Sequence, residues 1–381
     1  MLNVLLTGFI AFITSFLAIP AIMKVANEKK LYDLPDARKL HTTPIASLGG
    51  VGIFIGFFLS ALLTISGTGH FEFPFFFASA IVIFFLGLKD DILVISPTKK
   101  FLGQLAAAAI LIHLADIRIV SMHGFLGYDT LPQFWSYLLS YITIIVVVNA
   151  YNLIDGVDGL AASLGILTTG IFGTYFFFAG MQFYSLLAFA MTGSLIAFLV
   201  FNFNPAKIFM GDSGSLMLGL MNAIFVIKFI TVADSPSSQF PIASAVAVGF
   251  SILVVPLLDT LRVFSIRIAK GRSPFIPDRN HIHHLLLDRG LNHRSVTLAC
   301  VGMNVAFIAL TYFGGRAFGP TTLILMMMLL SFGVVSALVF LKKSPATLVI
   351  TSTFQHVNAE PAVQPATKVV SIKTEAAVAE Q

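Results

Sequence analysis

Four short segments of the chain gather the residue types that handle charged, phosphorylated substrates. Asp90 and Asp91 stand side by side in Gly87-Leu88-Lys89-Asp90-Asp91-Ile92. Adjacent carboxylates repel, so the pair calls for a cation or a shared proton. The plainer alternative is a helix end capped beside Lys89. Lys99 and Lys100 close the same connection, and ammonium groups there suit phosphate oxygens. The second segment, residues 149–159, holds Asn149, Asn152, Asp155 and Asp158 with Gly156 and Gly159, and no basic residue. Side-chain oxygens of this kind suit a hard cation such as magnesium; a turn with Asx-type caps is the other reading. The third, Phe209-Met210-Gly211-Asp212-Ser213-Gly214-Ser215, reads as a helix start whose free amides bind anions. Asp212 there either faces a metal or is an ordinary N-cap, and Phe209 either stacks on a base or contacts lipid. The fourth, Pro277-Asp278-Arg279-Asn280-His281-Ile282-His283-His284, is rich in histidine. Such clusters often hold zinc, but no cysteine or glutamate is near, and Arg279 fits a grip on phosphate or sugar equally well.

Taken together, acidic pairs with magnesium, plus Lys, Arg and His, are the parts for transfer of a phosphoryl-type group. The elements that position them must be membrane helices. The 381 residues are 57% hydrophobic and 11% charged, with a mean hydropathy of +0.92. An average soluble domain carries about 25% charged residues, so polar surface this scarce excludes a soluble globule. Runs of about 20 apolar residues, enough to span a bilayer, recur from end to end. The reading is an all-α polytopic membrane protein with eleven spans, near 2–23, 47–67, 73–88, 102–115, 134–150, 159–180, 183–201, 214–232, 241–263, 297–314 and 319–341. The first run lacks a basic n-region and a small-residue cleavage site, so it is expected to be a span rather than a cleaved leader. Pro20 and Pro256 are expected to kink the first and ninth spans. One membrane domain covers 1–343. Residues 344–381, rich in Ala, Val, Thr, Pro and Glu without period, are expected to form a disordered tail. The single cysteine, Cys300, excludes an intramolecular disulfide.

Lysine and arginine placement sets the orientation. With the amino terminus outside and the carboxyl terminus in the cytoplasm, eighteen of these residues fall at inward connections and helix ends, and only Arg118 and Arg316 at outward ones. The basic character is mostly this bias and does not call for nucleic acid. Ten of the thirteen aspartates share the inward side, and charge at a membrane boundary is costly and so usually functional. Outside, Ile117–Gly127 alternates loosely and is compatible with a short β-hairpin.

With those residues in place, the chain resembles the polyprenyl-phosphate N-acetylhexosamine-1-phosphate transferases over about residues 30–300. The motifs come in order: Arg38-Lys39-Leu40-His41 with Pro44 and Gly49-Gly50, Asp90-Asp91, Asn149 through Gly159, Phe209 through Ser215, and His281-Ile282-His283-His284. The His-Ile-His-His form, followed by Leu285 and Arg289-Gly290-Leu291, is similar to the branch that uses UDP-N-acetylglucosamine. The muramoyl-pentapeptide branch has three consecutive histidines, which this chain lacks. The resemblance implies that undecaprenyl phosphate attacks the β-phosphate of a UDP-amino sugar. The products are lipid-diphosphate-sugar and UMP, the first step of lipid-linked glycan synthesis at the cytoplasmic face of a bacterial inner membrane. It implies magnesium, with manganese as the alternative ion, held by Asn152 and Asp212. It implies uracil contacts from Asp158 and Phe209 with Asn149 nearby, groups near the lipid phosphate and pyrophosphate from Lys39 and Lys100, and His41 as a further substrate-binding residue. Arg279, His281, His283 and His284 would clamp the sugar and diphosphate. Asp90 would be the base, supported by Asp91, with Asp155 the third catalytic acid. A phosphate monoester is already largely ionised near neutral pH, so the base contributes less than the metal; an aspartate acting as covalent nucleophile is the other mechanism. Dimerisation is implied by family analogy alone.

Two other classes fit the residues less well. A prenyltransferase using a prenyl diphosphate would need a second spaced acid motif, which is not found. A transporter would place polar residues mid-membrane on broken helices, whereas here they gather at one side and only Lys228 lies clearly within a span.

Overall fold

The computed structural model describes residues 1–33, 44–65, 70–234, 238–271 and 281–340. Lys39, His41, Arg279 and the expected tail at 344–381 lie outside these.

The described chain is helical, with two two-stranded sheets. α1 (Leu2–Glu28) runs unbroken through Pro20, and β1 (Tyr32–Asp33) pairs antiparallel with β2 (Ile45–Ala46). Then come α2 (Gly49–Ile65), α3 (Phe73–Ile92) and α4 (Pro97–Ala109), which loosens into a π turn at Ile110–Leu114. β3 (Ser121–Phe125) and β4 (Tyr128–Thr130) form the expected hairpin. α5 (Gln133–Ile154), α6 (Leu160–Phe178), α7 (Gln182–Asn202) and α8 (Gly211–Ala233) follow. α9 (Ala245–Ile252), α10 (Val254–Ala269), α11 (Ile282–Leu287), α12 (His293–Gly314) and α13 (Pro320–Phe340) complete the order.

Each of the eleven expected spans falls largely on helix. Among the described residues, eight helices are long and apolar enough to cross a membrane, or up to nine if the bent pair α9–α10 is one span. α2 is apolar but has 17 residues, and α4 has 13 and opens on Pro97-Thr98-Lys99-Lys100. The bundle centres on α8, which packs chiefly against α5, α3 and α2, with α6 and α9 beside it; Leu216, Leu220, Ile224 and Phe225 on it are fully buried.

The expected kink in the ninth span is a break. α9 and α10 meet at 79°, with Pro256 in the first turn of α10, where its missing N–H costs nothing. Asn304 of α12 serves the freed backbone: its Nδ2 donates to the Ile252 carbonyl at 3.0 Å and its Oδ1 accepts from Val255 N at 3.3 Å. A break in a membrane helix requires such partners.

Helix ends also differ from expectation in a way that matters. α3 continues through Lys89, Asp90 and Asp91, α5 includes Asn149 and Asn152, and α8 takes Asp212 into its first turn. Residues expected in connections therefore sit on rigid terminal turns.

Candidate active site

α3 and α8 run antiparallel and touch closely where Asp91 meets Asp212. Asp91 caps α8: its Oδ1 accepts from Asp212 N at 2.6 Å and its Oδ2 from Ser213 N at 3.0 Å. Both oxygens are thus occupied by amides that the helix leaves unsatisfied. Two glycines permit the approach. Gly211 has φ +69°, and a Cβ on it would lie 2.7 Å from Asp91 Oδ1; a Cβ on Gly87 would lie 2.5 Å from the Asp212 carbonyl. A side chain at either position would separate the two acid-bearing turns.

Around this junction one ammonium group meets three oxygen ligands. Lys100 of α4 donates to Asp90 Oδ2 at 3.2 Å, to Asn152 Oδ1 at 3.3 Å and to the Asp212 carboxylate. Asp90 Oδ1 accepts from Ile95 N at 2.7 Å. Asn152 Nδ2 donates to Asp212 Oδ1 at 2.8 Å and to Ser215 Oγ at 2.9 Å. Four helices, α3, α4, α5 and α8, therefore contribute to one polar knot.

The knot stands between two cavities. One, of about 370 Å³, is lined by Lys100, Gln104, Asn149, Arg267, His281 and His283 among others. The second, of about 650 Å³, is lined by Asp91, Asp155, Asp158, Asn202, Phe209 and Asp212 among others. Asp90, Asn152, Gly156 and His284 belong to both walls. The smaller chamber is thus basic and the larger acidic. Asp155, just past the end of α5, is half-buried. Burial, then the charges of Asp212, Asp91 and Asp158, push its carboxyl up to about 8. Among the described residues no group of three or more His, Cys, Asp or Glu is placed to hold a metal ion. Asp212, Asn152 and Asp155 offer hard oxygen donors of the kind magnesium takes, and Lys100 is seated on Asp212 and Asn152.

Every described site residue from the sequence lines one cavity or the other. Phe209 is placed by an isolated bridge from Ala46 to Ile208 and by Gly49 N and Gly50 N donating to the Phe209 and Met210 carbonyls at 2.9 and 2.8 Å. His283 is buried, and desolvation pushes its imidazole down to about 3, so it is neutral. Sequence reasoning missed five partners. Gln104 of α4 accepts from Asn149 Nδ2 at 2.8 Å. His293 Nδ1 lies 3.3 Å from Asp158 Oδ1, and Ala206 N donates to Asp158 Oδ2 at 3.1 Å. Asn202 Oδ1 accepts from Gly159 N at 2.8 Å. Arg267, buried on α10, lines the basic chamber, and Asp259 holds His281 Nδ1 at 2.7 Å. The legible signal for Asp259 was a carboxylate near the end of the apolar run 241–263.

This geometry agrees with what the chain is similar to. Residues 73–230 match the family described as Glycosyl transferase family 4, a stretch that begins at α3 and ends within α8. A decaprenyl-phosphate N-acetylglucosaminephosphotransferase of Mycobacterium leprae is 34% identical over 321 residues, 77% of this chain and 79% of the relative. A probable undecaprenyl-phosphate N-acetylglucosaminyl 1-phosphate transferase of Bacillus subtilis is 30% identical, covering 78% and 81%. An undecaprenyl-phosphate alpha-N-acetylglucosaminyl 1-phosphate transferase of Escherichia coli K12 is 28% identical, covering 81% and 83%. Relatives so named align along most of the length that carries the acid knot and its two chambers, and the chain accordingly belongs to the polyprenyl-phosphate N-acetylglucosamine-1-phosphate transferase family.

Proposed function

We propose that this chain transfers N-acetylglucosamine-1-phosphate from its UDP-sugar to undecaprenyl phosphate, releasing UMP, at the cytoplasmic face of the membrane. The observation that carries the reading is Lys100 converging with Asp90, Asn152 and Asp212 on the wall between two chambers. A reaction that joins two phosphorylated substrates needs two adjoining sites and one shared centre. The names of the relatives support the acceptor and the sugar, and the bias of basic residues supports the side.

The acidic chamber suits the nucleoside: Asp158, fixed by His293 and Ala206 N, presents hydrogen-bond acceptors, and Phe209 offers a ring face. The basic chamber suits phosphate oxygens, through Lys100, Arg267 and the histidines. Asp212 and Asn152, with Asp155 beside them, would hold magnesium, which when bound neutralises charge building on the diphosphate. Asp90 is set to orient or accept a proton from the lipid phosphate. Asp91 fixes the first turn of α8 and through it the placement of Asp212. With both oxygens engaged, Asp91 supports the site rather than attacking substrate.

The test is an assay of the purified chain in lipid nanodiscs with undecaprenyl phosphate, magnesium and a panel of UDP-amino sugars, reading UMP. The expected result is UMP release with UDP-N-acetylglucosamine, dependent on the lipid phosphate. Release of pyrophosphate instead, or no UMP with any sugar, overturns the reading.

A further inference from the structure

We propose that Asp259, on the helix beyond the break in the ninth span, is a positioning residue that fixes the tautomer of His281 and so decides which of its nitrogens serves the basic chamber. The inference rests on the functional reading above and deepens it.

Asp259 is 4% exposed, so its carboxylate is largely shielded from bulk solvent. Its Oδ2 lies 2.7 Å from His281 Nδ1, and its Oδ1 accepts from Ile282 N at 2.7 Å. Arg262 Nη2 stands 3.8 Å from the same Oδ1. A buried carboxylate needs donors, so His281 must give it the Nδ1 proton. The nitrogen that a histidine offers is set by the bond its other nitrogen makes. Nε2 is thereby left for the cavity that His281 lines. The Ile282 bond does a second job, pinning the first turn of α11 and hence the rest of the His-Ile-His-His run.

The neighbours show why this matters. His281 and His283 stack with ring centroids 5.5 Å apart and planes 8° from parallel. His283 Nδ1 is buried without a hydrogen-bond partner among the described residues, and its ring is neutral. Lys100 and Arg267 line the same cavity, with Asp90 the acid among them. Of the stacked pair, His281 has a carboxylate at its Nδ1 and His283 does not. The two stacked imidazoles of one motif thus differ in what faces Nδ1, and Asp259 makes the difference. The 79° break carries the same argument, since it starts a new helix a turn and a half before Asp259 and directs it to α11.

The experiment uses the full chain in nanodiscs with ¹⁵N-labelled histidine, His281 being assigned by its loss in His281→Gln. In the unaltered protein the expected signal is Nδ1 protonated throughout pH 6–9; a bare Nδ1 overturns the proposal without need of any variant at Asp259. Asp259→Asn keeps an oxygen for Ile282 N but turns a donor toward His281. It should move the proton to Nε2 and lower turnover about 10- to 100-fold, with the KM for UDP-N-acetylglucosamine within about threefold. Asp259→Glu should recover part of both. An unchanged His281 signal in Asp259→Asn, or turnover within about twofold of the parent, overturns the proposal. A tautomer change in a chain that consumed no UDP-sugar would support the pair and overturn only the transferase reading.

Discussion

α3 and α8 are tied together by charged groups at both ends, and the two ties are built differently. At one end Asp91 caps α8, and Lys100 gathers Asp90, Asn152 and Asp212. At the other, Lys228 of α8 lies 3.4 Å from Glu72 at the start of α3, Tyr184 donates to Glu72 at 2.6 Å, and the ammonium sits 4.9 Å from the Tyr184 ring centre. Phe76 and Phe183 pack edge-on around that second group. Carboxylate and ammonium balance there, and neither lines the cavities described above. At the first end the acids outnumber the lysine, and two chambers open on them. Buried charge alone therefore does not mark chemistry; surplus charge of one sign beside a chamber does.

The comparison breaks first at Asp212. Asp212→Ala should lower UMP formation by about a thousandfold, roughly the 4 kcal/mol a metal's charge stabilisation supplies. Thermal stability should change little, because the capping bonds to Asp91 use backbone amides. Activity within tenfold of the parent would remove Asp212 from the centre. Lys100→Met should cost about a hundredfold. The same change should raise magnesium affinity in a direct binding measurement, since the ammonium and the ion compete for Asp212 and Asn152. Unchanged affinity would separate the lysine from the cation site.

This contrast between ends was half legible in the sequence. Asp90, Asn152, Asp155, Asp158 and Asp212 could be read because their side chains are oxygen-rich in an oxygen-poor chain. Their placement on helix turns could not, because apolar runs do not show where a helix stops when polar residues continue it, as they do from Lys89 to Ile92 and from Asn149 to Ile154. Gln104, Asn202 and His293 escaped notice because each acts through a partner far along the chain, and hydrogen bonds over such separations leave no local pattern. Lys228 stood out as an intramembrane charge, but its match with Glu72, 156 residues away, is a product of the antiparallel packing.

If the second tie is structural, breaking it should move stability and spare chemistry. Lys228→Met leaves the Glu72 carboxylate without its ammonium, and loss of one partner of a buried pair costs about 3 kcal/mol. Both groups keep some exposure, 23% and 14%, so the lower end of that range applies. A fall of several degrees in the unfolding midpoint is expected, with turnover at a permissive temperature within about threefold. The double change Lys228→Met with Glu72→Gln should regain part of the loss, because no charge is then stranded. A hundredfold loss of turnover in either variant would make the two ends functionally alike and sink the distinction drawn here.

The smallest effect concerns how the surplus of acid is carried when no cation is bound. The Asp155 carboxyl, at about 8, is raised by burial and by Asp212, Asp91 and Asp158. Between its ordinary value near 4 and 8, the folded chain holds a proton there that the unfolded chain does not. Ion-free protein should therefore lose stability as pH climbs through that window. A divalent cation reverses the preference, since ligand oxygens must be deprotonated and binding releases the proton. Apparent magnesium affinity should then rise from pH 6 to pH 8, by at most about tenfold per unit for one proton released, and level off above. Asp155→Asn should flatten the slope while leaving a weakened site. Titration calorimetry in two buffers of different ionisation enthalpy reads the proton directly. A slope that persists in Asp155→Asn would shift the excess proton to another member of the acid group, and the surplus at this end would have to be assigned afresh.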